Sequence, residues 1–167
     1  MQSSVDMEQA PIPAETICDL IGEAISIPSV AKGQPTQFIV LNEVESLSKA
    51  SEIVPQKPLT VQALAAIIVC GDLNKAELKD KWMLDCEAAS QQIIVSAHAN
   101  GLAAQTSTIY PDHDRIYGMT TLLDLPDYII AHTYVAMGSP VTVSSGCELS
   151  SNKRIHFNSW ERKKPVS

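Results

Sequence analysis

Basic residues are scarce in this chain. Of its 167 residues, 12 are Lys or Arg against 19 Asp or Glu, which leaves a formal net charge of -7. The densest basic run is the short stretch Arg162-Lys163-Lys164. Neutralising a phosphate backbone needs a concentrated basic face, so a nucleic-acid partner is not expected. Long apolar runs are missing as well. None approaches the roughly 20 residues that span a bilayer, and the first residues form neither the basic nor the apolar region of a secretion signal. The expectation is a soluble, cytoplasmic protein with no membrane partner. C-x-x-C spacing is also absent, since Cys18, Cys70, Cys86 and Cys147 stand far apart. The simplest reading is buried free thiols in a reducing compartment, with a metal or disulfide role as the alternative. His98, His113, His132 and His156 show no ligand spacing with those cysteines, so no metal site is expected. There is no internal repeat.

The composition that remains is that of a globular chain. Hydrophobic residues make up 45% and charged residues 19%, enough to bury a core and too little charge for disorder. The length suits a single domain over residues 1–167. Pro11-Ile12-Pro13 suits a helix entry, and Ile17, Leu20, Ile21, Ala24 and Ile25 follow at helical spacing until Pro28. Residues 37–41 read as a short strand. Asn42 is a candidate cap for a helix carrying Val44, Leu47 and Ile53, with Glu43 and Glu45 suited to its first turn. Residues 65–70 form a continuous apolar run, the pattern of a strand covered on both faces. Residues 85–100 read as a helix whose stretch after Cys86 carries one formal charge, Glu87. So little charge leaves little face for water, so this helix lies in the core or against another subunit. An extended segment is expected over 102–110, a helix from Pro111-Asp112 to Leu125-Pro126, and a strand over 128–137. A Ser-rich loop should follow over 141–152, and then a half-buried strand from Arg154 to Trp160, where polar and apolar residues alternate. That final strand, after a long loop, is a candidate for pairing away from its own sheet. This order of helices and short strands argues an α+β layered domain.

The stretch most suggestive of function is Pro28-Ser29-Val30-Ala31-Lys32-Gly33-Gln34-Pro35-Thr36-Gln37-Phe38. It is a polar loop between two prolines, joining a helix to a strand, where a rigid scaffold presents hydrogen-bonding groups to a ligand. It resembles the flavin loop of the nitroreductase family, Pro-Ser-x-x-Asn-x-Gln-Pro-Trp-x-Phe. Further segments are similar in the same order. They are Pro11-Ile12-Pro13, Ala65 to Asp72, Trp82 to Gln91, Gly101-Leu102-Ala103-Ala104, Ile109-Tyr110-Pro111 with Arg115, Met137-Gly138-Ser139-Pro140, and Ile155 to Trp160.

The resemblance implies a nitroreductase-like α+β sandwich. A central, mostly antiparallel sheet would be flanked by helices in an intertwined homodimer. It implies FMN at the dimer interface and hydride transfer from NADH or NADPH (NAD(P)H) to a nitroaromatic, quinone or similar small-molecule acceptor. Such chemistry belongs to the cofactor, so no catalytic side chain is expected. By the same resemblance the cofactor-binding residues would be Ser29, Lys32 and Gln34, together with Pro28, Val30, Ser3, Thr108 and Ile109. This chain departs from the family at the phosphate. The family's Arg-Arg-Ser-x-Arg falls on Met1-Gln2-Ser3-Ser4-Val5, which keeps only Ser3. The family's Lys and Arg before the last strand fall near Cys147 and Leu149, whereas the basic residues here are Lys153 and Arg154. Lys32, in place of the family's Asn, restores one positive charge. Thr36 and Thr106 stand where the family has Trp, and Thr108 where it has Gly. The departures motivate a second expectation of another class: a non-catalytic dimer of the same fold that has lost the usual FMN phosphate site and binds another ligand.

Overall fold

The computed structural model describes residues 10–55, 63–139 and 154–160. Among these residues the order is α1 (Ala14–Ile25), β1 (Thr36–Leu41), α2 (Val44–Ile53), β2 (Ala65–Asp72), α3 (Trp82–Ala99), β3 (Ala103–Thr108), α4 (His113–Leu123) and β4 (Ile129–Gly138). The strands form one antiparallel sheet in the order β1-β2-β4-β3.

The central strand β2 organises the packing because alternate residues leave it on opposite faces. Ala65, Ile67 and Val69 join α1 and α3 in one core with Ile17, Leu20, Cys86, Ile93 and Val135. Ala66, Ile68 and Cys70 join α2 and α4 in a second core with Ala50, Met119, Tyr134 and Ala136. Every residue of β2 is buried, as its unbroken apolar run requires. Truncating Ile67 or Ile68, both fully buried, to Ala would cost about 2–5 kcal/mol.

α1 buries Ile17, Leu20 and Ala24 along one stripe. It ends at Ile25, before Pro28 could disturb its ladder. α2 starts one residue later than Asn42 suggests. Glu43 is its cap, in an extended conformation and without a side-chain bond, because β1 runs on to Leu41 in pairing with Ala66. α3 is longer than expected, starting at Trp82, and it crosses the whole sheet. One side of it enters the core, while Leu84, Glu87, Gln91, Val95 and His98 form an exposed stripe. α4 is capped by Asp112, whose carboxylate accepts the Arg115 amide at 3.1 Å. It ends where Asp124 turns left-handed at φ 54°.

The strand expected over Arg154 to Trp160 does not form in this chain. Ile155 and His156 are irregular, residues 157–160 form bends and a turn, Asn158 is left-handed at φ 66°, and the Ser159 amide closes on the Phe157 carbonyl at 2.8 Å. A left-handed residue interrupts the extended alternation, and the His156 and Trp160 rings stack at 4.3 Å instead. The Ser-rich loop over 141–152, with Cys147, and residue Ser3 lie outside the described residues. No helix among the described residues is long and apolar enough to cross a membrane.

Candidate functional site

The polar loop over 28–35 is held by a carboxylate from α3. Asp85, buried in the first turn of that helix, accepts the Ser29 hydroxyl at 2.7 Å and the amides of Val30 and Ala31 at 2.6 and 3.0 Å. Bonds to a charged acceptor are the strong ones, so this grip sets the loop's path. The loop is then stitched to the segment after β2. The carbonyls of Ala31 and Lys32 accept the amides of Leu78 and Glu77, and Pro35 accepts from Asp72. Three residues in a row are left-handed, Lys32 at φ 60°, Gly33 at 89° and Gln34 at 50°. Glycine is required at 33, since a Cβ there would stand 2.0 Å from the Lys75 carbonyl oxygen. With its carbonyls turned inward, the loop leaves Pro28, Val30, Lys32 and Gln34 exposed. Ser29 is half-buried, and its hydroxyl is already engaged by Asp85. Beneath the loop, between Pro28, Gln34, Thr36 and Asp85, lies a cavity of about 20 Å³, room for a single water-sized body.

Thr108 and Ile109 lie at the opposite edge of the sheet. Thr108 ends β3 and is exposed, and Ile109 is fully buried in the second core. A bulge in β4 builds this corner. The pairing with β2 passes from Val69–Thr133 to Cys70–Ala131 and leaves His132 as the extra residue. Its carbonyl accepts the amides of both Ile109 and Tyr110, at 3.0 and 3.1 Å, just before the cis Tyr110–Pro111 bond. The displaced imidazole stacks on Tyr110 at 5.6 Å and meets Trp82 edge-on at 5.7 Å. Its Nδ1 lies 2.7 Å from the Thr133 hydroxyl. Burial holds the His132 pKa below its ordinary value, and the Glu87 carboxylate opposes that only partly. Trp82 in turn packs on Gly71, where a Cβ would sit 2.2 Å from the indole.

The residues picked out in the sequence therefore form two groups. Antiparallel register puts the 28–35 loop and Thr108–Ile109 at the same end of the sheet. Two strands, β2 and β4, separate them, which is roughly 14 Å at about 4.8 Å per strand. Beside Thr108 opens a cleft of about 650 Å³ between Pro55, Ile94 and the outer edge of β3, with Arg115 on its wall. The Arg115 guanidinium donates from Nη1 to the Thr108 carbonyl at 2.6 Å. Asp85, His132 and Arg115 were not among the residues the sequence picked out for the site. Asp85 carried a signal: a carboxylate inside the apolar run Trp82-Met83-Leu84-Asp85-Cys86 calls for buried donors. His132 carried none, because the bulge that displaces it is set by pairing. Of the cysteines, Cys70 and Cys86 are buried and Cys18 is exposed. Burial pushes the Cys70 thiol up to about 12. Burial and then the neighbouring Cys70, Asp85 and Glu87 raise Cys86 as well.

No protein-family model matches this sequence. The chain is 33% identical over 149 residues to a protein of Methanothermobacter thermautotrophicus provisionally named NADH dehydrogenase/NAD(P)H nitroreductase, covering 89% of this chain and 78% of that protein. A crystal structure of a protein with the same provisional name, from Parabacteroides distasonis, superimposes with a TM-score of 0.79 at 31% identity, over 91% of this chain and 89% of that one. An FMN-dependent nitroreductase from Clostridium difficile shares the fold with a TM-score of 0.78 at 20% identity, over 90% of this chain and 91% of that one.

Proposed function

This chain belongs to the NAD(P)H nitroreductase family, and on that premise we propose that it is a homodimeric, FMN-dependent oxidoreductase carrying reducing equivalents from NAD(P)H to a nitroaromatic, quinone or similar acceptor. The observation that carries the reading is the braced loop. Its backbone is committed inward, so the Lys32 ammonium and Gln34 amide are free to meet a ligand at a fixed place. The cleft at β3 adds hydroxyls, in a volume typical of a cofactor pocket. These donors suit the carbonyl and phosphate oxygens of a flavin nucleotide, so the residues present fit the group. Lys32 supplies the cation that positions 1–5 lack.

A bound flavin would supply the atom that receives and releases the hydride. The chain's own part is positional. Lys32 and Gln34 bind oxygens from the β1 edge, Pro28 and Val30 border them, and Thr108 and the Ile109 backbone line the β3 edge. Asp85 keeps the first group from moving, and the His132 carbonyl does the same for the second. One flat ligand touching both groups needs them nearer than one sheet allows. A two-fold that brings the β1 edge of one protomer to the β3 edge of its partner meets that need. The exposed apolar residues of α3, Leu84 and Val95, support such a dimer. The same reading takes residues 1–167 as one domain and the enzyme as cytoplasmic.

The test is the visible spectrum of the purified protein after addition of FMN and gel filtration. Oxidised-flavin bands should co-elute with a dimer. Lys32→Ala should weaken FMN binding at least about tenfold, the equivalent of one bond to a charged group. A colourless dimer that ignores FMN would sink the reading and favour a dimer that binds another ligand.

A further inference from the structure

We propose that the cleft along the outer edge of β3 is an organic-anion subsite, in which Arg115 holds a carboxylate or phosphate carried by the electron acceptor or donor. The inference rests on the oxidoreductase reading above. It concerns what the enzyme selects, not whether it holds a flavin.

Among the described residues the cleft is lined by Gln105, Thr106, Ser107, Thr108, Ile94, Pro55 and Arg115, of which only Arg115 is charged. In a chain with a net charge of -7, an isolated cation on the wall of a 650 Å³ cleft stands out chemically. Its orientation is fixed rather than free. Nη1 donates to the Thr108 carbonyl at 2.6 Å, which ties the guanidinium to the last residue of β3. A guanidinium has five donors in a rigid fork, so one such bond leaves the remainder for a planar, two-oxygen partner. Neither Asp112 nor Asp114, the acids just before it in sequence, forms an ion pair with it among the described residues. Asp112 caps α4 through the Arg115 backbone amide. No carboxylate pairs with the guanidinium among the described residues. Thr106 is exposed on the same strand edge, its hydroxyl able to donate to the same anion. Ile94 and Pro55 supply apolar surface for the ring that carries it.

A carboxylate would come from an acceptor such as a nitrobenzoate, and a phosphate from the nucleotide donor. Steady-state kinetics on the FMN-reconstituted full chain separates the two. The probes are 4-nitrobenzoate against the neutral 4-nitrobenzyl alcohol, each with NADH and with NADPH. A carboxylate site gives 4-nitrobenzoate a KM about tenfold below that of the alcohol, and Arg115→Gln brings that ratio to about one. A phosphate site instead gives NADPH the advantage over NADH, again lost in Arg115→Gln. Arg115→Lys should restore most of whichever preference exists. Loss of the Thr108 contact alone would move charged and neutral acceptors together and leave the ratios untouched. Calorimetric titration of 4-nitrobenzoate into the FMN-free protein gives a readout independent of flavin, and Arg115→Gln should weaken it about tenfold. Protein that takes no FMN yet shows this titration would overturn the oxidoreductase reading alone. Ratios near one in the native protein, or preferences that survive Arg115→Gln, overturn the subsite.

Discussion

Removing the Asp85 carboxylate should loosen one corner of the molecule more than it unfolds the whole. The side chain accepts three hydrogen bonds, at 2.7, 2.6 and 3.0 Å, all from the 29–31 segment. Those donors do not suffer equally in Asp85→Ala. Val30 is 49% exposed and Ser29 half-buried, so water can replace the lost oxygen for both. Ala31 is fully buried, and its orphaned amide costs about 1–3 kcal/mol. Adding smaller losses at the other two gives about 3 kcal/mol, a large share of a typical stability of about 5–15 kcal/mol. Asp85→Asn keeps one acceptor oxygen but turns an amide donor toward the amides, so an intermediate cost of about 1–2 kcal/mol is expected. Urea unfolding of the full chain gives the total. Hydrogen exchange at the Val30 and Ala31 amides gives the local effect. Glu87→Ala, two residues along the same helix and exposed, is the control and should shift stability by less than about 0.5 kcal/mol. An Asp85→Ala protein with the midpoint of that control, and with unchanged exchange at Val30 and Ala31, would refute the assignment of Asp85 as the brace.

Three further outcomes are expected. His132 has a folded pKa below its unfolded value of about 6.5, so the unfolded chain binds its proton first as pH falls. The stability it confers is therefore complete above that value and declines as pH drops toward the lower folded value, by at most about 1.4 kcal/mol per pH unit. Urea unfolding from pH 7.5 to 5 should show this slope in the native protein and a shallower one in His132→Gln; identical slopes would count against it. Iodoacetamide at pH 8 should label Cys18 well before Cys70 or Cys86, because their thiols are buried with raised pKa values. Peptide mapping showing Cys70 labelled as fast as Cys18 in folded protein would contradict the burial. Val95, 61% exposed on the outer stripe of α3, should tolerate Asp in a monomer but not at a subunit interface. Sedimentation should show a dimer for the native protein and a monomer for Val95→Asp, and a native monomer would refute the interface.

Much of the fold was legible because its signals are local and periodic. The apolar run of β2, the 17-20-24 stripe of α1 and the Asn100-Gly101 stop of α3 each report their own element. What misled was also local. Alternation over 154–160 reads as a strand, but a strand needs a partner edge, and an Asn in the left-handed region breaks the run. Cys18 sits in an apolar helix yet faces out, since the buried stripe of α1 passes through Ile17 instead. The site was legible only as a loop. Its brace lies 54 to 56 residues away on α3, and no pattern within the loop shows it. Separation onto two sheet edges depends on strand order, which pairing decides and periodicity does not.

The places where this chain breaks local rules coincide with the places that the family resemblance assigns to a ligand. Lys32 and Gln34 are left-handed without being glycine, at about 1 kcal/mol or more each. Among the described residues the other non-glycine positive φ values lie at Asp124, a helix end, and Asn158, where such geometry is ordinary. The β4 bulge removes His132 from the ladder and turns its carbonyl to the chain leaving β3. Both departures persist because buried interactions hold them: the Asp85 carboxylate in one case, the Trp82-Tyr110-His132 cluster in the other. A loop needed only to join α1 to β1 would relax to ordinary backbone and dispense with a buried carboxylate. Strain retained at two corners of one sheet end, each beside exposed donors, is what a scaffold shows when it must hold a ligand's atoms in place. The backbone outliers and the buried brace point to a held ligand without naming it, and the identification of that ligand as a flavin is the proposal made above.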